Sequence, residues 1–217
     1  EWDFVGLEDG RIVQWEGKTY MTGVRRYAPD GKGRMVLSEI DITKKGVKEV
    51  GRYIIDPPEG PDAYCEKNWM PILDMPYHFV KWMNPLEIVK VDLVNDKAEQ
   101  VHLGKELPFE TIDPRGGSQV VTYNDYRVAI THSVDPWQSE KGDRNCHYNH
   151  RMIVWDKDWN LVSITEPWKF MHGKIEFVCG LAIEDDMMYI TFGYQDNSAY
   201  LFRVPFEFMN SLPKEKL

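Results

Sequence analysis

The sequence predicts an all-β protein of the β-propeller class, on three observations. A short motif recurs four times at nearly even spacing, segments rich in β-forming residues follow each copy, and helical periodicity is not sustained except in the last dozen residues. The 217 residues include 13 Pro and 16 Gly, which divide the chain into short segments. These features together are typical of repeated antiparallel sheets.

The recurring motifs begin at residues 6, 64, 115 and 175 and read GLEDGR, YCEKNW, RGGSQV and IEFVCG. Their separation of about 50 to 60 residues is that of a propeller blade. A returning strand and further β-segments follow each motif, and four antiparallel strands per unit make a blade. We therefore expect one domain over 1–217, with blades near 6–56, 64–103, 115–166 and 175–208.

The blade count is left open between two arrangements. We expect the four visible blades to belong to a five-bladed ring whose first blade precedes residue 1 or is supplied elsewhere, and a four-bladed ring is the alternative. Longer loops are expected at 57–63 and 133–148, one of them over the site, because surface loops commonly carry binding residues.

Composition limits the partners of this chain. A net charge of −9 with pI near 5.2 argues against a nucleic-acid partner. The sequence has neither a long apolar stretch nor a signal-peptide pattern, which argues against a membrane partner, and we expect a cytoplasmic location. Cys65, Cys146 and Cys179 lack CxxC spacing, and the stretch Cys146–His150 lacks a second ligand pair. Neither a disulfide framework nor a metal site is predicted.

Charged residues in the second motif indicate a polar cavity. Glu66, Lys67 and Asn68 directly precede an apolar run, and burying unpaired charges costs several kcal/mol. The innermost strand of each blade lines the axis of a propeller, so these side chains are expected to face a central channel. The same argument places five further residues around that axis: Asp9, Arg11, Ser118, Gln119 and Glu176.

Carboxylates around one cavity suit glycosidic bond cleavage. One carboxyl acts as general acid, and the nucleophile is either water activated by a second carboxylate or bound phosphate. Cationic residues at strand ends could form a cluster that binds phosphate. The alternative for each group is a structural ion pair or a solvated loop charge. Four aromatic residues could stack on sugars or belong to the core, and of these Trp137 alone has an exposed context: Trp69, Trp82, Trp137 and Tyr194.

These residues resemble the motifs of glycoside hydrolase family 130, which comprises five-bladed propeller mannoside phosphorylases and hydrolases, and of related propeller modules attached to glycosyltransferases. The segment Gly6–Arg11 is similar to that family's Glu-Asp-Pro-Arg segment, with Gly10 in place of Pro, and the likeness extends to Gly193–Asn197. The resemblance implies that Asp9 is the proton donor. It also implies a phosphate site formed by Arg26, Arg34, Lys67 and His150 or Arg151.

We therefore expect a carbohydrate-active enzyme that cleaves or transfers a mannoside-like bond with inversion. Its partner is an oligosaccharide or a sugar phosphate, with inorganic phosphate as co-substrate and no cofactor. The predicted catalytic residues are Asp9, Glu66 and Glu176, of which Glu66 or Glu176 is the base if water attacks. The predicted phosphate- or substrate-binding residues are Arg26, Arg34, Lys67, Asn68, His78, Gln119, His150, Arg151 and Asp196.

Two other functions remain open at this stage. One is a non-catalytic glycan-binding module covalently attached to a glycosyltransferase domain, which keeps the polar cavity but needs no proton donor. The other is a scaffold propeller that binds protein partners and no saccharide. Loss of turnover in an Asp9→Asn variant separates the enzyme from both.

Overall fold

Four antiparallel sheets, arranged as the blades of a propeller, form the chain in the computed structural model. It describes residues 6–26, 31–60, 62–63, 65–108, 113–138 and 144–216, without the side chains of 136–138 and 144–145. The predicted motif start at Tyr64 and the side chain of Trp137 lie outside the described residues. No helix in the described part is long and apolar enough to cross a membrane.

Blades I and II each contain four strands, numbered from the inside outwards. Blade I consists of β1 (Glu8–Trp15), β2 (Lys18–Arg26), β3 (Gly33–Thr43) and β4 (Gly46–Ile55). Blade II consists of β5 (Met70–Pro71), β6 (His78–Met83), β7 (Leu86–Asp92) and β8 (Lys97–Leu103). Strand β5 is shorter than the sequence suggested, because Asn68 adopts a positive φ of 62° and interrupts the extended backbone.

Blades III and IV complete the described ring. Blade III consists of β9 (Val121–Tyr123), β10 (Tyr126–Gln138), β11 (Arg144–Trp155) and β12 (Leu161–Ile164). Blade IV consists of β13 (Glu176–Glu184), β14 (Met187–Tyr194) and β15 (Ser198–Pro205), followed by the short helix α1 (Phe206–Asn210). The expected fourth strand of blade IV is absent from the described residues. Four blades were predicted and are observed.

The loop predicted at 133–148 is largely wrong. Strands β10 and β11 pair continuously from Arg127 opposite Trp155 to Gln138 opposite Arg144. Strands β9 and β12 pair only with the lower part of this hairpin. Above them, His132 pairs with Arg115, and His150 and Tyr148 bond to Trp168 and Lys174. The part beyond Val134 and Tyr148 is a two-stranded ribbon, where Pro136 does not interrupt a central ladder.

Alternating burial explains how each blade packs. In β1, Arg11, Val13 and Trp15 are buried and the intervening residues are exposed, the two-residue period of a strand with one face on the core. Trp15 packs edge-on against Phe79 of blade II at 5.4 Å between ring centroids. Three apolar clusters of this kind fill the interfaces I–II, II–III and III–IV, and no such cluster joins blade IV to blade I in the described chain.

Inner segments of different blades are tied by hydrogen bonds at the axis. The amide of Gln119 donates to the carbonyl of Ile12 at 2.8 Å and accepts from the backbone N–H of Leu181 at 2.9 Å. Val120 exchanges backbone hydrogen bonds with Pro71 and Leu73. At the depth of Gln119, protein groups therefore fill the predicted polar channel. Gln119 was predicted to bind substrate, but its amide forms hydrogen bonds with the other blades.

Replacing Gln119 by Ala should destabilise the ring by about 1 to 3 kcal/mol, because it removes the partner of the buried N–H of Leu181 and of the partly buried carbonyl of Ile12. Urea unfolding measures the loss. The matched control is Gln14→Ala on the exposed side of β1, where we expect a change within about 0.5 kcal/mol. Equal stability of the two variants would contradict the bridging role of Gln119.

Candidate active site

Asp9 lies at the start of β1 on an irregularity of the sheet. The register between β1 and β2 shifts between Glu8 and Arg11, and Asp9 adopts a positive φ of 54°. Such a bulge re-aims a side chain out of the regular alternation, and Asp tolerates this conformation better than most residues. The local backbone therefore holds Asp9 in a special orientation at the inner edge of the blade.

The guanidinium group of Arg11 anchors this backbone. It donates from Nη1 to the carbonyl of Asp9 at 2.7 Å and from Nε to the carbonyl of Gly117 in blade III. Its central carbon lies 5.6 Å from the ring centroid of Phe177 in blade IV. Burial lowers the pKa of Arg11 to about 10, so the buried group remains a cation at neutral pH.

Charges from three blades surround the carboxyl of Asp9. Asp9 is exposed at the surface, but the protein atoms around its carboxyl group displace part of the surrounding water, and this desolvation raises its pKa. The negative charges of Glu8 and Asp196 act in the same direction. The positive charges of Arg11 and Lys67 oppose this rise. A carboxyl group with a raised pKa is more often protonated near neutral pH, which is the property a general acid requires.

Blade III contributes an aromatic wall to the same centre. Tyr148, at the base of the β10–β11 ribbon, stacks on His132 at 5.3 Å between ring centroids. Burial raises the pKa of Tyr148, and the charges of Asp196 and Asp9 add to the rise while Arg115 opposes it. The hydroxyl of Tyr148 and the guanidinium of Arg115 therefore border the centre defined by Asp9.

Close backbone contact brings blade III to blade II at this point. A Cβ atom on Gly116 would lie 1.7 Å from the carbonyl oxygen of Asn68, so only glycine allows the approach. The next residue, Gly117, accepts a hydrogen bond from Arg11 through its carbonyl oxygen. The two glycines of the third motif thus help to assemble the centre.

Glu176 does not have the environment of a catalytic base. Its side chain is 0% exposed, and its carboxylate accepts hydrogen bonds from the backbone N–H groups of Phe170, Met171 and Gly173. These bonds fix the loop that precedes β13. The structure gives Glu176 a structural role, and the base role predicted for it does not fit this geometry.

Several predicted phosphate ligands also serve the interior of the blades. Arg34 donates to the carbonyls of Gly33 and Ala63, and Arg151 donates to the carbonyl of Thr165 and the carboxylate of Glu215. His150 is fully buried next to the rings of Trp168 and Phe170. The sequence could not distinguish these buried polar groups from groups at the mouth, because it predicted both at strand ends, whereas His150 and Arg151 lie within β11.

The remaining predicted residues lie at opposite ends of the blades. His78 follows the turn after β5, at the opposite end of blade II from Glu66, and its Nδ1 contacts the carbonyl of Pro76 at 2.8 Å. Glu66 is buried and accepts from the indole N–H of Trp69 at 3.0 Å. Arg26 ends β2 and is exposed. Of the predicted set, Lys67 and Asp196 are the residues whose charges act on Asp9.

Sequence reasoning placed Arg11 at the axis without giving it a role, and it did not assign Arg115 or Tyr148 to the site. The buried position of Arg11 and its bonds to two blades could not be read from alternation, because the register shifts between Glu8 and Arg11. Arg115 opens the third motif. Nothing in the sequence marked Tyr148. The described residues contain no group of three or more His, Cys, Asp or Glu side chains that could hold a metal ion.

The pKa of Asp9 should respond to single neighbours in opposite directions. Lys67→Ala should raise the pKa further, because it removes a positive charge, and Asp196→Asn should lower it. Carbon-13 NMR titration of the Asp9 carboxyl measures both shifts. Lys44→Ala, in the distant β3–β4 turn, is the control and should leave the pKa unchanged. Identical titration in all variants would refute the shared centre.

The buried histidines should make stability depend on pH. Burial lowers the pKa of His132 and of His150 to about 3 from 6.5, so the unfolded chain binds more protons between these values. The free energy of unfolding should therefore fall as the pH is lowered from 6.5 towards 3. The raised pKa of Asp9, Glu66 and Glu87 opposes this trend, since those groups bind protons more readily when folded.

His150→Phe isolates the histidine contribution, because the ring stays within the same aromatic cluster and cannot be protonated. Glu176, with Oε2 4.0 Å from Nε2, and Lys169 are the charged neighbours and are unchanged. Urea unfolding at several pH values should show a weaker decline for this variant than for the wild type. Parallel pH curves would contradict the assignment.

Comparisons with known proteins identify the architecture. No protein-family model and no curated protein sequence matches the chain. The structure is similar to MPT-4, a mannose phosphorylase from Leishmania mexicana in complex with phosphate ion, with a TM-score of 0.55 and 11% identity over 97% of this chain and 71% of that one. It is also similar to MPT-1, a GDP-Man-dependent mannosyltransferase from the same organism, with a TM-score of 0.58 and 15% identity over 96% and 72%.

A third similar structure is β-1,2-mannobiose phosphorylase from Listeria innocua in complex with β-1,2-mannobiose. Its TM-score is 0.59 at 13% identity, over 94% of this chain and 60% of that one. The chain thus spans between 60% and 72% of these three proteins. At such identities the likeness concerns the fold, and the chain has the propeller architecture found in mannose and mannobiose phosphorylases.

Proposed function

We propose that this protein is a carbohydrate-active enzyme that cleaves a mannoside bond, with Asp9 as the proton donor. The observation that carries the proposal is the carboxyl group of Asp9, set on a β-bulge, with a raised pKa and with Lys67 and Asp196 acting on it from other blades. Structural carboxylates such as Glu176 are saturated by backbone amides, whereas Asp9 has an environment suited to proton transfer.

Asp9 would donate its proton to the oxygen of the scissile glycosidic bond. The leaving sugar departs with that proton, and the nucleophile attacks the anomeric carbon from the opposite face, which inverts the configuration. The negative charges of Glu8 and Asp196 favour the protonated form of Asp9 before the reaction. Arg11 holds the backbone of Asp9 and keeps the acid aligned with the bond.

Inorganic phosphate is the proposed nucleophile. Lys67 and Arg115 are the cationic groups proposed to hold it, as a point charge and as a planar fork. Arg115 pairs with the exposed carboxylate of Asp113 at 3.2 Å and would exchange this partner for the phosphate. These two cations replace the larger predicted set, whose Arg34, His150 and Arg151 serve the blade interior. The phosphate ion bound by the Leishmania phosphorylase and the mannobiose bound by the Listeria enzyme support this combination of substrates. The products would be a mannose phosphate and the released sugar.

Two other reactions use the same acid. If water attacks, we propose Asp196 as the base in place of Glu66 or Glu176, because its charge acts on Asp9, and the enzyme is then a hydrolase. Transfer of a mannosyl group to a sugar is favoured by the similarity to the Leishmania mannosyltransferase. The non-catalytic glycan-binding module, the attached glycosyltransferase domain and the cytoplasmic location stay predictions.

Asp9→Asn should lower turnover by a factor on the order of 10² or more, because it removes the proton while preserving the shape of the side chain. The assay incubates the protein with β-1,2-mannobiose and inorganic phosphate, and chromatography detects mannose 1-phosphate and mannose. Asp41→Asn, on the exposed end of β3, is the matched control and should retain wild-type turnover.

Phosphate dependence separates the three reactions. Mannose 1-phosphate formed only with phosphate present supports phosphorolysis, free mannose without phosphate supports hydrolysis, and longer oligosaccharides support transfer. Undiminished turnover in Asp9→Asn would refute Asp9 as the acid. Sugar binding without any product, in wild type and variant alike, would leave the binding module as the function.

A further inference from the structure

A cavity lies between blades II and III, next to the Asp9 centre. Its volume is about 330 Å³, and its walls are formed by residues 65–68, 81–83 and 113–116. Lys67 and Arg115, the proposed phosphate ligands, belong to these walls. Cavities of this size are typical of small-molecule sites. The cavity is therefore the place where the proposed nucleophile would bind.

A free thiol stands in the wall of this cavity. Cys65 is exposed and forms no disulfide, and it lines the cavity together with Lys67. Exposure alternates along the segment, with Cys65 and Lys67 exposed and Glu66 and Asn68 buried, so the thiol and the ammonium group lie on the same side of the chain. Neither of the other two thiols belongs to the cavity walls.

Blade I fixes the position of this thiol. Gly33 and Cys65 form a parallel bridge, and the backbone N–H of Glu66 donates to the carbonyl of Gly33 at 3.0 Å. A Cβ atom on Gly33 would lie 2.7 Å from the sulfur of Cys65, so glycine leaves the space that the sulfur occupies. The thiol is thus held between the backbone of blade I and the cavity.

The charged groups of the walls favour an anionic ligand beside Cys65. The buried ammonium group of Lys81 pairs with carboxylates that do not line the cavity. Of the wall carboxylates, Glu66 accepts from an indole N–H and Asp113 pairs with Arg115. Lys67 is exposed on the side of the thiol, and ammonium and guanidinium groups both suit carboxylates.

Asn68 gives the cavity an acceptor without a partner. It lines the cavity, it is 8% exposed, and its carboxamide oxygen is buried without a hydrogen-bond partner in the described chain. A buried acceptor without a partner is costly, so it points to a ligand that donates hydrogen bonds. Phosphate groups present mainly acceptor oxygens, whereas peptide amides present N–H donors. This oxygen therefore suits a peptide-like ligand better than it suits phosphate.

We propose that Cys65 is a site of reversible mixed-disulfide formation with a small anionic peptide disulfide, of the class of oxidised glutathione, which binds in this cavity before it reacts. Its carboxylates fit Lys67 and Arg115, and its amide N–H groups fit the carboxamide oxygen of Asn68. Its aliphatic parts can pack on the indole of Trp82, which lines the cavity and is 49% exposed.

The exchange is balanced within the two reactants. The thiolate of Cys65 attacks one sulfur of the disulfide, a new S–S bond forms, and the original S–S bond breaks. The other half leaves as a thiolate and takes up the proton that Cys65 released. Cys65 is thereby oxidised and the leaving half is reduced, and an excess of a free thiol reverses the reaction.

The attached half would occupy the space proposed for phosphate, between Lys67 and Arg115. Modification of Cys65 should therefore stop phosphorolysis until a thiol removes the adduct. This consequence rests on the proposed function, whereas the modification itself does not.

Labelling kinetics test the site directly. The double variant Cys146→Ser/Cys179→Ser keeps Cys65 as the single thiol, and Cys65→Ser/Cys179→Ser keeps Cys146, an exposed thiol outside the cavity, as the matched control. Each is incubated with increasing concentrations of oxidised glutathione, and mass spectrometry follows the adduct. We expect the rate at Cys65 to saturate, because a complex precedes the exchange, and the rate at Cys146 to rise linearly with concentration.

Lys67→Ala in the protein that keeps Cys65 separates recognition from simple exposure. The rate constant for oxidised glutathione, divided by that for the neutral bis(2-hydroxyethyl) disulfide, should fall on the order of tenfold, because the anion is no longer attracted. Lys44→Ala, in the distant β3–β4 turn, should leave this ratio unchanged. Circular dichroism confirms that each variant is folded. Linear labelling of Cys65, or a ratio that is indifferent to Lys67, overturns the proposal.

Turnover separates this proposal from the proposed function. Oxidised glutathione should abolish phosphate-dependent mannobiose cleavage by the wild type, dithiothreitol should restore it, and Cys65→Ser should be insensitive to both. Cleavage that persists in fully labelled protein overturns the block of the cavity and leaves Asp9 as the acid. Saturable labelling of Cys65 in a wild type that does not cleave mannobiose supports the modification site and overturns the enzyme assignment.

Discussion

The buried guanidinium of Arg11 is the interaction on which the centre of the molecule depends. A buried cation is costly unless its donors are satisfied. Nε and Nη1 of Arg11 donate to carbonyl groups of blades III and I, whereas Nη2 is buried without a hydrogen-bond partner among the described residues. Phe177 of blade IV covers its face. One side chain therefore fixes the relative position of three inner strands and, through the carbonyl of Asp9, the conformation of the proposed acid. Arg11 therefore stabilises both the conformation of the proposed acid and the contact between the blades.

Two of the six register shifts in the described sheets release side chains to the surface. Regular alternation would send every second residue of an inner strand into the blade interface, as in the rest of β1. The shift at Glu8–Arg11 releases Asp9 from this pattern, and the shift at Val80–Trp82 exposes an indole that alternation would pair with the core. Both shifts lie at the same end of their blades. The proposed acid and the exposed indole therefore lie at breaks in the alternation of the strands.

Most buried polar residues serve the ring and not the substrate. Glu176 fixes a loop with its carboxylate, Arg151 joins β11 to the carbonyl of Thr165, and Gln119 spans blades I and IV. A propeller with short strands leaves many backbone groups at blade boundaries, and these side chains satisfy them. Few polar side chains at the mouth of the propeller lack such a structural role, and Asp9, Lys67 and Asp196 are among them.

The sequence by itself determined the class of fold and the number of visible blades, because two-residue alternation and a repeat of blade length are local properties. It also determined that Asp9, Lys67 and Asp196 were worth attention. Only the tertiary structure decided which polar strand ends are buried, since Glu176 and His150 have the same local pattern as residues at the mouth. It likewise decided the β10–β11 ribbon, the role of Arg11 and the exposure of Trp82, because these depend on pairing register and on contacts between blades far apart in the chain.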